Sequence, residues 1–169
     1  QHYRDIRIAP IYEGTNGIQA MDLVGRKLPM RAGGVISDHL DAMAATAADA
    51  TAAGGDLAEL GRRLDEALVS LREATMWLLT QGAEDPNNAL AGASPYLEML
   101  GVVTGGWLLT TSALAARRLL DGDPAGFSPE FLEQKLVTAR FYASQLLPRA
   151  AGLLPAVTAG PADLFAAAF

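Results

Sequence analysis

No cysteine occurs among the 169 residues. That excludes a disulfide framework, a thiol nucleophile and a cysteine-ligated metal site. Histidine is nearly as scarce: His2 and His39 stand far apart, and no metal-ligand spacing is present. Basic residues are outnumbered 13 to 19, for a formal net charge of -6. General nucleic-acid binding needs a basic face and is therefore disfavoured. No run alternates apolar and polar residues convincingly enough to read as a strand. No signal-peptide pattern is visible at the start, and a cytoplasmic location is the expectation.

Half of the residues are hydrophobic, enough to bury a core in one or at most two small domains. The apolar residues recur at helical spacing. Ile18, Met21, Val24 and Leu28 predict one face of a helix over 17–28. Pro29, Gly33 and Gly34 then mark a linker. An alanine-rich helix follows over 35–53, with Ile36, Leu40, Met43 and Ala47 on one side. Gly54-Gly55 ends it. Asp56 and Glu59 fit the spacing of a capping box. Leu57, Leu60, Leu64, Leu68, Leu71 and Leu78 form the clearest amphipathic stripe. Arg62, Arg63, Asp65, Glu66, Arg72 and Glu73 lie mostly off it, as a solvated face.

Residues 82–92 read as a loop. Ser94-Pro95 and Ser128-Pro129 each pair an N-cap with a proline at the first helical position. Leu132, Leu136, Ala139, Ala143, Leu146, Leu147 and Leu153 form the apolar side of the last long helix, which Pro148 should kink or break. Pro161 can open a short terminal helix. Four main helices after the linker predict an all-α, up-down bundle.

From Met99 to Ala116 no residue is charged, about the length at which a membrane span is suspected. The run also contains Gly101-x-x-x-Gly105, a spacing that lets helices approach closely. It holds three glycines and the hydroxyl residues Thr104, Thr110, Thr111 and Ser112. With amphipathic helices on both sides, the expectation is a buried central helix and no membrane span. Trp77 and Trp107 are expected in the core, His39 at the surface, and the methionines in core or boundary gaps.

One stretch stands out chemically: Tyr12-Glu13-Gly14-Thr15-Asn16-Gly17-Ile18-Gln19. A lone carboxylate precedes a helix, where backbone N–H groups are free to bind anions. Gly14 lets backbone approach a neighbour closely, and Thr15 and Asn16 offer a hydroxyl and an amide. By composition this is equally an ordinary glycine turn with an N-cap.

Tyr3-Arg4-Asp5-Ile6-Arg7-Ile8, then Tyr12 to Gln19 and Asp22-Leu23-Val24-Gly25-Arg26-Lys27-Leu28, resemble the catalytic segment of acyl-CoA dehydrogenases. Tyr96-Leu97-Glu98-Met99-Leu100-Gly101, Ala139-Arg140-Phe141-Tyr142-Ala143 and Leu146-Leu147-Pro148 resemble the extra C-terminal helical domain of a subset of larger bacterial members. The resemblance implies three parts. Residues 1–30 would end the catalytic domain, 31–36 would link, and 37–169 would form the additional bundle. Residues 1–8 read like the end of a helix whose beginning is missing, so a fragment is expected.

The resemblance also implies chemistry. Glu13 matches the base that takes the α proton of an acyl-CoA thioester, while FAD takes the β hydride. Backbone at Gly14 would lie against the acyl-CoA, and Thr15, Asn16 and Gly17 would contact FAD. The family usually carries a hydroxyl residue or similar at the Asn16 position, so this chain departs from it there. An electron-transferring flavoprotein as electron acceptor and a homo-oligomeric assembly are further implications. Residues 35–169 carry no catalytic constellation of their own. They motivate a second reading, a non-catalytic helical module for subunit assembly or for shaping the substrate entrance.

Overall fold

In a computed structural model, residues 1–11 and 15–167 are described. Among them all regular structure is helical. Short helices α1 (His2–Ile6) and α2 (Ile8–Ile11) lead into α3 (Asn16–Asp22). A π-helical turn, Leu23–Lys27, and a 3-10 turn, Met30–Gly33, follow. The long helices are α4 (Gly34–Ala53), α5 (Gly55–Glu84), α7 (Ala93–Asp121) and α8 (Pro129–Gln145). Short α6 (Pro86–Ala91) joins α5 to α7, and α9 (Arg149–Thr158) and α10 (Ala162–Ala166) end the described chain.

The all-α bundle expected from helical spacing is the observed architecture. Helices α5 and α7 are central: both pack on α4, on α8 and on α9. All six leucines of the α5 stripe are buried. Ile36, Leu40, Met43, Ala47 and Ala50 present the buried side of α4. On α7 the buried line is Tyr96, Met99, Val103, Gly106, Thr110, Ala113 and Ala116. These steps of three and four put one face of the helix in line for packing along its length. Helix α7 is long and apolar enough to cross a membrane, the only such helix among the described residues. In the fold it packs on α3, α4, α5, α8 and α9.

Backbone chemistry sets the breaks. Ser128 caps α8, its Oγ accepting from the Phe131 amide at 3.2 Å, with Pro129 at the first position. Pro148 stands between α8 and α9, as its missing N–H requires. Pro161 precedes α10.

Several local expectations are corrected. Residues 82–92 are not a loop. Helix α5 continues through Gly82 to Glu84, and the break falls at Asp85, because the residue before a proline is driven out of the helical region. Asp85 then caps α6 by accepting from the Asn87 amide at 2.9 Å. At Gly82 an added Cβ would sit 2.8 Å from the Ala89 side chain, so glycine lets α6 lie close to α5. Asp56 and Glu59 form no capping box. Gly54, at φ +74, starts the helix instead. That frees Asp56 to accept from Arg140 of α8 at 2.9 Å, while Glu59 accepts from Arg62 and Arg63. Ser94 is no cap either. Helix α7 begins at Ala93, and Pro95 sits third, where an N–H has no intrahelical partner anyway.

Packing brings further corrections. Gly101 has open space around it, and the close approach falls at Gly105 and Gly106, against Tyr142 and Leu147. Met43 and Met99 are fully buried, but Met21, Met30 and Met76 are exposed. His39 is half-buried, its ring edge-on to Trp107 with centroids 5.4 Å apart.

Candidate functional site

The turn singled out in the sequence lies at the start of α3. Tyr12, Glu13 and Gly14 fall outside the described residues. Thr15 precedes α3 with φ -88 and ψ -4, and its carbonyl accepts from the Gln19 amide at 2.9 Å. Thr15 is half-buried, and Asn16 and Gly17 are exposed. A Cβ added at Gly17 would meet nothing within 4 Å, so this first turn opens on free space. Thr15, Asn16 and Gly17 thus form a rim at the start of α3, Thr15 half-buried and the other two exposed.

What holds that rim is the opposite side of α3 and of the π turn that follows it. Ala20, Val24 and Leu28 are buried in the common core with α4, α5 and α7. Ile18 and Met21, expected on the buried face, point outward instead. Small Ala20 is what lets α3 lie close to α7. A run led by bulky residues hides that signal. Asp22 on the flank accepts from Arg26 at 2.5 and 2.9 Å and has Lys27 Nζ at 3.3 Å. The Arg26 hydrogen bond, with help from Lys27, holds the Asp22 carboxyl below its ordinary range.

Elsewhere the chemistry is structural. Tyr96 is fully buried and shares a 2.9 Å hydrogen bond with Thr75 Oγ1. Thr75 spends its own proton on the Leu71 carbonyl at 2.7 Å, so Tyr96 is the donor. Burial pushes the Tyr96 phenol up to about 12. Trp107 Nε1 donates to Thr46 Oγ1 at 2.8 Å, which ties α7 to α4. A groove of about 540 Å³ lies between the start of α4 and α5, walled by Ile36, Leu40, Met76 and Leu79. Its guanidiniums are already paired, Arg31 with Asp38 and Arg72 with Asp41. Among the described residues no group of three His, Asp or Glu could hold a metal ion.

Residues 39–168 match the family described as Acetyl-CoA dehydrogenase C-terminal like. The chain belongs to this acyl-CoA dehydrogenase family. It is 40% identical over 147 residues to a 3-methylmercaptopropionyl-CoA dehydrogenase of Ruegeria pomeroyi, a match covering 87% of this chain and 24% of that protein. It is 31% identical over 154 residues to a broad-specificity linear acyl-CoA dehydrogenase of Mycobacterium tuberculosis, covering 88% and 25%. A butyryl-CoA dehydrogenase of Syntrophomonas wolfei is 30% identical over 157 residues, covering 91% and 25%. The chain therefore spans about a quarter of the length of these acyl-CoA dehydrogenases.

Thr15, Asn16 and Gly17 supply a rim with hydroxyl, amide and first-turn N–H donors, and the open space at Gly17 admits close approach. No groove described above includes them.

Proposed function

We propose that the full-length protein is an FAD-dependent acyl-CoA dehydrogenase, converting an acyl-CoA thioester to the trans-2-enoyl-CoA. The observation that carries this reading is the match to three acyl-CoA dehydrogenases along nearly nine-tenths of the chain. The Tyr12–Gln19 motif supports it, with Glu13 at the position of the family's base and a departure at Asn16.

In this reading residues 1–30 close the catalytic domain and 37–169 add a helical bundle to it. Glu13 is the base. Its carboxylate takes the α proton and becomes the acid, and the electron pair left on Cα forms the Cα=Cβ bond as hydride leaves Cβ. FAD, when bound, supplies the acceptor for that hydride at N5. A carboxylate in a desolvated pocket has its charged form disfavoured, which raises its pKa and strengthens it as a base. Backbone at Gly14 lies along the acyl-CoA, and Thr15, Asn16 and Gly17 face the flavin. Electrons pass on to an electron-transferring flavoprotein. The assembly is a cytoplasmic homo-oligomer. The 169-residue chain alone is inactive, because it carries only one wall of the site.

The test is a flavin spectrum of the full-length protein, followed by anaerobic mixing with a panel of acyl-CoAs. Bleaching by one acyl class confirms the reaction and names the substrate. A protein that binds no flavin, or whose flavin no acyl-CoA reduces, removes the proposal and favours the assembly module.

A further inference from the structure

Residues 31–33 form the joint between the π turn and α4. Arg31 and Ala32 both sit at φ 53 and Gly33 at φ 86, three left-handed residues in a row. Non-glycine residues resist that region, so the surrounding structure has to hold them there. Two features do so. Arg31 donates to Asp38 of α4. Gly33 is pressed on α5, where an added Cβ would lie 2.9 Å from Leu79 Cδ1.

On the near side of the joint, the segment that follows the Glu13 turn is packed into the bundle. Ala20, Val24 and Leu28 are 1%, 5% and 2% exposed, at successive steps of four. In a regular α-helix each such step drifts about 40° around the axis. The π turn counters this. The Leu28 amide donates to the Leu23 carbonyl, five residues back, at 2.8 Å. The wider turn rotates less per residue and returns Leu28 toward the line of Ala20. All three side chains thereby reach the core shared with α5 and α7.

The geometry points to Val24 and Leu28 as positioning residues for proton abstraction: through them the helical bundle fixes the helix that begins three residues after Glu13. This inference rests on Glu13 being the base. It gives the bundle a role in the reaction that neither subunit assembly nor entrance shaping requires. The reacting atoms tolerate little displacement, since a misplacement of about 1 Å can cost about a hundredfold in rate.

The test compares full-length Leu28→Ala with Leu136→Ala. Leu136 is equally buried but lies on α8, which packs on α5 and α7. Flavin content, Kd for acyl-CoA, the limiting rate of flavin bleaching and the α-deuterium isotope effect are measured for each. Leu28→Ala is expected to retain flavin and acyl-CoA affinity. Its limiting rate should fall by about ten- to a hundredfold with an increased isotope effect. Leu136→Ala should lower the melting temperature and leave the rate within about twofold, because it disturbs packing away from α3. Leu28→Met should restore the rate. Equal rates in the two alanine variants overturn the inference. If Leu28→Ala does not fold, the smaller truncation Val24→Ala is read the same way. Glu13→Gln is measured in parallel: normal turnover there removes the assignment of the base, whereas a dead Glu13→Gln beside a fast Leu28→Ala removes only the positioning role.

Discussion

Replacing Gly61 by alanine should destabilise the chain, although alanine is the better helix former. Gly61 lies in the interior of α5 and is buried where α5 crosses α4. A Cβ there would fall far inside contact distance of the Ala47 carbonyl oxygen and Thr51 Oγ1, and 2.7 Å from the Thr51 amide nitrogen. Two of these atoms are backbone, so no rotamer change relieves the clash. Restoring an ordinary contact of 3.4 Å at the Thr51 nitrogen alone moves α4 away by at least about 0.7 Å. A gap of that size forfeits a quarter to a half of the dispersion attraction along the crossing. Overpacking of this kind costs about 3 kcal/mol at its upper range. The propensity gain of alanine over glycine returns about 1 kcal/mol. The net loss is therefore about 2 kcal/mol, a fall in Tm of about 4–8 °C for a chain of this size. Gly101→Ala is the matched control. It lies in α7 with nothing within 4 Å and should gain about 1 kcal/mol from propensity alone. Thermal unfolding followed by circular dichroism reads both. A Gly61→Ala chain as stable as the wild type would refute the close crossing.

Tyr96 predicts a pH dependence. Its folded-state pKa of about 12 lies above the ordinary 10.0, so the fold favours the protonated phenol. That contribution is complete below pH 10 and is lost as pH rises from about 10 toward 12. Wild-type Tm should drop across that interval more steeply than that of Tyr96→Phe, and parallel curves would contradict the assignment. Below pH 10, Tyr96→Phe should cost about 1 kcal/mol in a urea titration, because Thr75 keeps its bond to the Leu71 carbonyl. Ser128→Ala removes the acceptor for the Phe131 amide and should cost about 1 kcal/mol, read as a lowered Tm.

The helices were legible where a single physical rule decided them. The leucine stripe of α5, the Ser128-Pro129 cap and the break at Pro148 all appear as their spacing or chemistry dictates. Features that depend on a neighbour were hidden. Gly61 reads as an ordinary helix interior residue until α4 is laid across it. Gly101 and Gly105 carry an identical spacing signal, yet only Gly105 faces a partner, Tyr142. The π turn leaves no mark in hydrophobic periodicity. Of the face expected at Ile18, Met21, Val24 and Leu28, the last two are buried, and Ala20 takes the place of Ile18 and Met21. The candidate site was legible only through the wording of its motif, because the physical signature of one carboxylate beside glycines is shared with common turns. The chain spans about a quarter of the length of the relatives it matches.

The most direct test of the central claim is rapid mixing of full-length Glu13→Gln with the acyl-CoA that bleaches the wild-type flavin. The glutamine keeps size and shape but cannot take the α proton. The account predicts a normally bound flavin whose bleaching is slowed by about 10²–10⁴-fold, the range a positioned general base supplies. Near-normal bleaching in that variant would place the base elsewhere and contradict the account.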